Sequence, residues 1–126
     1  MSKQTLQLLE QEFTIHSLDC DATVPQAVLR SELYFIAKTE DELSIVCSSD
    51  INVDSLAAES HWRALEVLGP LGFSLTGIMA NISGVLAKAN VSIFTLSTYD
   101  TDYILVKESQ IQAAMNALKK DGYLLL

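Results

Sequence analysis

Residues 91–107, VSIFTLSTYDTDYILVK, decide how the chain is read. Residues 91–98 carry no charge and are rich in β-branched and aromatic side chains, and 102–107 hold Tyr103, Ile104 and Val106, so both segments are expected as strands. The polar step Tyr99-Asp100-Thr101 between them is short enough to close a hairpin. Upstream, HWRALEVL (61–68) alternates, with Leu65 and Val67 on one face and Ala64 and Glu66 on the other, and Gly69-Pro70-Leu71-Gly72 ends that strand. From Thr76, the residues Ile78, Ile82, Val85, Leu86 and Ala89 recur with the period of a helix lying on a sheet, and Asn90 closes it. The opposite side of this helix carries Gly77, Ala80, Asn81, Gly84 and Lys88, small enough to let another element approach closely. Downstream, Ser109 with Gln112 predicts a capping box. Ile111, Ala114, Met115 and Leu118 supply the apolar face of a second helix, Lys119, Lys120 and Gly122 suit its end, and 123–126 reads as a short final strand. The order strand, helix, strand, strand, helix, strand is the ferredoxin-like βαββαβ arrangement, an α+β fold built on antiparallel sheets.

The first half is less regular. Residues 13–18, 33–38 and 44–48 read as strands, with 25–30 and 54–59 as short helical pieces. This looks like a shortened, degenerate copy of the same unit, which divides the chain into an N-terminal half (1–60) and a C-terminal domain (61–126), with the junction in 48–60.

Composition narrows the class of function. Of 126 residues 49% are apolar and 19% charged, which excludes a disordered tail and supplies one or two small cores. The net charge of -8 would be repelled by phosphate backbones and anionic lipid, so neither nucleic acid nor a membrane surface is an expected partner. Residues 1–60 hold 3 basic and 11 acidic side chains while 61–126 hold 5 of each, so the acidity belongs to the first half. The uncharged run 67–87 is long enough to span a bilayer, but four of the five glycines, Pro70 and Asn81 punctuate it as strand end, turn and helix. The first ten residues have no apolar core of a secretory signal, and a cytoplasmic location is the expectation. Two cysteines, Cys20 and Cys47, are too few for a disulfide scaffold.

Topology alone brings two loops together. The right-handed crossover makes the strands before and after the first helix parallel, so loop 69–76 and the turn before Asp102 share one end of the sheet. Backbone N–H groups at Gly77 and Ile78 would favour a carboxylate, while Asp102, with Asp100 as a weaker candidate, could accept an ammonium or guanidinium group. A free amino acid carries both charges. Strand 91–98 would lie at a sheet edge, and an uncharged edge invites pairing, either with the other half of the chain or with a second copy.

The segments 62–65, 69–71, 73–78, 91–94 and above all 97–106 resemble the ACT domain. They are most similar to the tandem ACT proteins, which include small bacterial proteins and the cytosolic arginine sensors of animal cells. The resemblance implies a regulatory module binding a free amino acid between ACT units. Carried over by motif, the ligand-binding positions are Leu75, Thr76, Gly77, Ile78 and Asp102. With about two units in the chain instead of four, a homodimer through sheet edges, or pairing of the two units within one chain, is implied.

Catalytic alternatives are weak. Cys20 lies between Asp19 and Asp21, whose charges disfavour a thiolate, and Cys47 sits in an apolar strand. His16 and His61 have no ligand spacing of a zinc site, and Asp100 with Asp102 is most simply a solvated turn. No catalytic residue, metal or cofactor is expected. The competing expectation is a ligand-free dimerisation module of the same fold.

Overall fold

The computed structural model describes residues 3–68 and 77–126. In chain order these form β1 (Thr5–Leu8), β2 (Phe13–Leu18), α1 (Gln26–Leu29), β3 (Phe35–Lys38), β4 (Leu43–Ser48), β5 (Ala57–Val67), α2 (Ile78–Lys88), β6 (Ile93–Ser97), β7 (Asp102–Lys107), α3 (Ile111–Lys120) and β8 (Leu124–Leu125). They fall into two compact units. One is Gln11–Trp62; the other comprises the described residues of Met1–Glu10 and Arg63–Leu126. The N-terminal strand β1 therefore groups with the C-terminal unit, whereas a division at residue 60 counts it with the first half.

In the C-terminal unit the strand order is β6-β7-β5-β1-β8. Strand β1 lies between β5 and β8, antiparallel to the first (Leu6 opposite Val67) and parallel to the second (Leu6 opposite Leu125). A plain βαββαβ unit would pair β5 with β8 directly, so this sheet holds one extra strand and one parallel pair. Alternation places Ile104 and Val106 of β7, Leu65 and Val67 of β5 and Leu6 of β1 in a core that also holds Ile82 and Leu86 of α2 and Ile111, Ala114 and Leu118 of α3. The helix stripes were readable because each is amphipathic over at least ten residues. Asn90 and Gly122 end the two helices in the left-handed region, with φ of 61° and 101°.

Two local expectations give way to packing, and one strand of the fold is unforeseen. Residues 54–59 do not form a helix: from Ala57 they enter β5, where Ala57, Ala58 and Glu59 pair with Ser17, His16 and Ile15. The pairing slips by one residue before Trp62 meets Phe13, and His61 takes φ of 67° there, a β-bulge that absorbs the extra residue. The Ser109–Gln112 capping box does not form either. Glu108–Gln110 is a single 3-10 turn, and α3 starts at Ile111 without a side-chain cap. There the Gln110 side-chain amide instead donates to Asn90 O (3.2 Å) and accepts from Ser92 N–H (3.4 Å), fastening the turn before β6. The first strand of the chain, β1, was not anticipated.

In the unit Gln11–Trp62 the order is β3-β4-β2 followed by the first part of β5. The register sets Leu18 opposite Leu43, His16 opposite Ile45 and Thr14 opposite Cys47. Leu18, Leu43, Ile45 and Cys47 form a small core with Val28 of α1. Four strands and one short helix make this unit a βαββαβ set lacking its second helix. His16 is 6% exposed on the core side, its Nδ1 3.0 Å from Ser55 Oγ, and its Nε2 is buried without a hydrogen-bond partner among the described residues.

Burial of His16 pushes its pKa below the ordinary 6.5. Because the unfolded chain then takes up the proton first, stability is full above about pH 6.5 and falls as the pH drops from there toward the depressed folded value. Chemical denaturation followed at Trp62 between pH 7 and 5 should show this slope, and His16→Leu should flatten it. An equal slope in the variant would assign the dependence to other groups.

Candidate functional site

One end of the C-terminal unit is fixed by a set of short links. Thr101, in the turn between β6 and β7, donates its hydroxyl to the carbonyl of Val67, the last residue of β5. Leu68 N–H donates to Thr5 O at the same end (2.9 Å). The start of β8 is there as well, since Thr5 pairs with Leu124. Asn81, in the first turn of α2, donates to Tyr123 Oη (2.6 Å) and to Asp121 Oδ2 (3.2 Å). The N-terminus of α2, the end of β5 and the β6–β7 turn therefore share one end of the sheet, as the crossover rule requires.

The turn itself is tightly built. Thr98 N–H donates to Thr101 O (2.8 Å), and Thr101 N–H donates back to Thr98 Oγ1 (3.2 Å). Ser97 and Asp102 face each other across the hairpin, and the Ser97 hydroxyl donates to Asp102 Oδ1 at 2.5 Å. Asp102 alternates in phase with Ile104 and Val106, which places it on the helix-covered side of the sheet. It is half-buried, whereas Asp100 is exposed and Tyr99 is 83% exposed. Of the two turn carboxylates, only Asp102 is therefore held in a defined position by its strand and by Ser97.

Gly77 caps α2 with φ of 82°, a conformation open to glycine and strained for other residues. Among the described residues no side chain caps this helix, and its first turn holds no acid. Leading N–H groups of a helix have no partner within the helix and suit an anion. Leu75 and Thr76 lie outside the described residues. Ser97 and Thr101 are neighbours of this end that sequence reading passed over: Thr101 read only as turn, and Ser97 meets Asp102 through hairpin register.

Asp19, Cys20 and Asp21 bring one potential ligand atom each within 4.8 Å of one another. Asp21 N–H donates to Asp19 Oδ1 at 2.9 Å, so this cluster is built as a turn. Cys47 is fully buried and burial pushes its thiol pKa up, which removes it as a nucleophile.

A βαββαβ unit joined to a helix-poor copy of itself defines a tandem ferredoxin-like α+β protein. The sequence profile of the ACT domain matches residues 57–120, and a profile described as an N-terminal domain matches 11–54. The chain belongs to the ACT domain family. It is 38% identical over 73 residues to the human protein named cytosolic arginine sensor for mTORC1 subunit 1, covering 57% of this chain and 22% of that one. The mouse protein of the same name is 33% identical over 90 residues, 71% of this chain and 27% of that one. The chain thus spans about a quarter of the length of these relatives. A crystal structure of an Agrobacterium tumefaciens protein superposes with a TM-score of 0.90 at 29% identity, covering 100% of this chain and 94% of that one. The ligand-free regulatory subunit of aspartate kinase from Thermus thermophilus shares the fold, with a TM-score of 0.65 at 10% identity over 94% and 98% of the two chains. Among the described residues no helix is long and apolar enough to cross a membrane.

Proposed function

We propose that the chain is a non-catalytic sensor module that binds a free amino acid at the α2 end of the C-terminal unit. The observation that carries this reading is the pairing of unlike chemistries at one end of one sheet. Asp102 is fixed by Ser97, and among the described residues no side chain caps the N-terminus of α2. The helix N-terminus suits the ligand carboxylate, and Asp102 suits an ammonium or guanidinium group. Leu75, Thr76, Gly77 and Ile78 would supply the backbone side of the site. A second ACT unit, from the same chain or another copy, would complete it, and the cytoplasm is where free amino acids report on supply. The naming of its relatives as arginine sensors puts arginine first among the ligands to test.

A thermal-shift screen of the twenty common amino acids tests the proposal. A ligand binding only the folded state adds about 2.7 kcal/mol at a hundredfold excess over Kd. That corresponds to a rise on the order of 10 °C in the melting temperature of a unit this size. No rise with any amino acid at millimolar concentration would leave the second reading, a ligand-free pairing module. That reading is favoured by β6, which among the described residues pairs only with β7 and leaves one edge open.

A further inference from the structure

The unit Gln11–Trp62 holds a buried titratable side chain that the amino-acid reading does not use. Its sheet lacks a second covering helix, and the irregular segment 49–56, between β4 and β5, covers that face instead. Ile51 and Val53 of this segment pack on the core of Leu18, Leu43, Ile45 and Cys47. Two side-chain links fasten it to β2: Ser49 Oγ lies 2.7 Å from Thr14 Oγ1, and Ser55 Oγ lies 3.0 Å from His16 Nδ1. Main-chain bonds hold its ends, where Ser49 N–H donates to Glu12 O and Leu56 N–H to Ser17 O, both at 2.9 Å. Residues 52–55 make no main-chain hydrogen bond among the described residues, so this stretch depends on Val53 and on the His16–Ser55 link.

The seat of His16 suits only the neutral ring. In the sheet register it lies between Ile45 of β4 and Ala58 of β5, and its Nε2 is buried without a hydrogen-bond partner among the described residues. In either tautomer Ser55 serves Nδ1 alone, so protonation would place a charged N–H at Nε2 with nothing to receive it. The surrounding groups supply no buried counter-charge. Cys47, its thiol pKa raised by burial, and Tyr34 pack on the same core, and α1 has no titratable side chain. Glu12 faces His61, Glu59 alternates with Ile15 to the other side of the sheet, and Asp19, Asp21, Asp50 and Asp54 are exposed. A protonated ring gains water and carboxylates only by leaving its seat, and the segment ending in Ser55 is what stands in the way.

We infer that segment 49–56 is an acid-released strap: protonation of His16 breaks its hold on Ser55 and lifts the segment off β2, while the β3-β4-β2 ladder stays paired. The strap is therefore the place where the acid sensitivity of this unit begins. It is independent of the amino-acid reading and would stand if no ligand bound.

Native-state hydrogen exchange of the whole chain tests it, read at the Leu56 amide, which Ser17 O holds next to Ser55. A proton taken up only by the open form, at the ordinary 6.5, raises the open population about eightfold between pH 7 and pH 5.5. The protection of Leu56, corrected for the intrinsic exchange rate, should fall by that factor. Its exchange should be nearly independent of urea, whereas amides of the β2–β4 ladder, which wait for the unit to unfold, should exchange faster as urea is added. His16→Gln, which can still hydrogen-bond Ser55 but does not titrate, should remove the pH dependence, and so should His16→Leu. Unchanged protection of Leu56 at pH 5.5 overturns the proposal. So does an equal fall in the His16 variants, which gives the switch to another group, and so does a urea dependence at Leu56 as steep as that of the ladder, which means that the segment opens only with its unit.

Discussion

Asp102→Ala is expected to abolish the stabilisation that a bound amino acid confers while leaving the unliganded melting temperature nearly unchanged. The side chain is half-buried at the rim of the hairpin, and among the described residues its hydrogen bond is to the exposed Ser97 hydroxyl, so its loss should cost the fold no more than about 1 kcal/mol. The ligand effect, about 2.7 kcal/mol at a hundredfold excess, should vanish because the cationic group would lose its counter-charge. Asp102→Asn sharpens the test: its side-chain oxygen can still accept from Ser97, so the hairpin is preserved and only the charge is gone. If charge is what the site uses, Asn and Ala should behave alike. Asp100→Ala, in the exposed turn, should keep the full response. An undiminished shift in Asp102→Ala would move the site away from the hairpin.

The largest loss of stability is expected from Leu6→Ala. Leu6 is fully buried at the centre of a four-residue strand that pairs on both sides, with β5 and with β8. Truncation removes its contacts with the α2 and α3 core and leaves a cavity, a cost of about 2–5 kcal/mol. Leu6→Met, which conserves volume, should cost less than about 1.5 kcal/mol. Hydrogen exchange reads the result locally: amides of α2, α3 and β7 should lose protection in Leu6→Ala while those of β2 and β4, in the other unit, keep theirs. Leu56→Ala, at a side chain 79% exposed, serves as the comparison that should change nothing. Protection retained throughout the C-terminal unit in Leu6→Ala would mean that β1 is dispensable.

The hairpin and both helices of the C-terminal unit were legible because their patterns are long and agree with local propensity. Residues 91–107 become β6 and β7 with Ser97 opposite Asp102, and the stripe through Ile82 and Leu86 becomes the buried face of α2. Strand β1 was not legible, because Thr5–Leu8 is four residues long and its pairing partners lie far along the chain. Ala57 and Ala58 favour a helix by propensity but are drawn into β5 by the waiting edge of β2, a tertiary preference that no local window contains. Within the candidate site, Asp102 could be named from topology and from its motif. Thr101 and Ser97 could not, since one acts through the end of a strand over thirty residues earlier and the other through hairpin register.

The position of β1 also bears on how the molecule is made. Lys3 and Asp121, 118 residues apart, meet in one ion pair, and β1 is parallel neighbour to β8. During synthesis the segment Gln11–Trp62 can reach its native pairings early, since β2 to β5 follow one another directly. The other unit must wait, with Leu6 exposed, until β8 has left the ribosome. Closing so long a loop is entropically slow, and the core of α2 and α3 lacks Leu6 until it closes. Refolding should therefore proceed in two phases, the slower reporting the C-terminal unit, and that nascent stage is where association with a chaperone would have its greatest effect on yield.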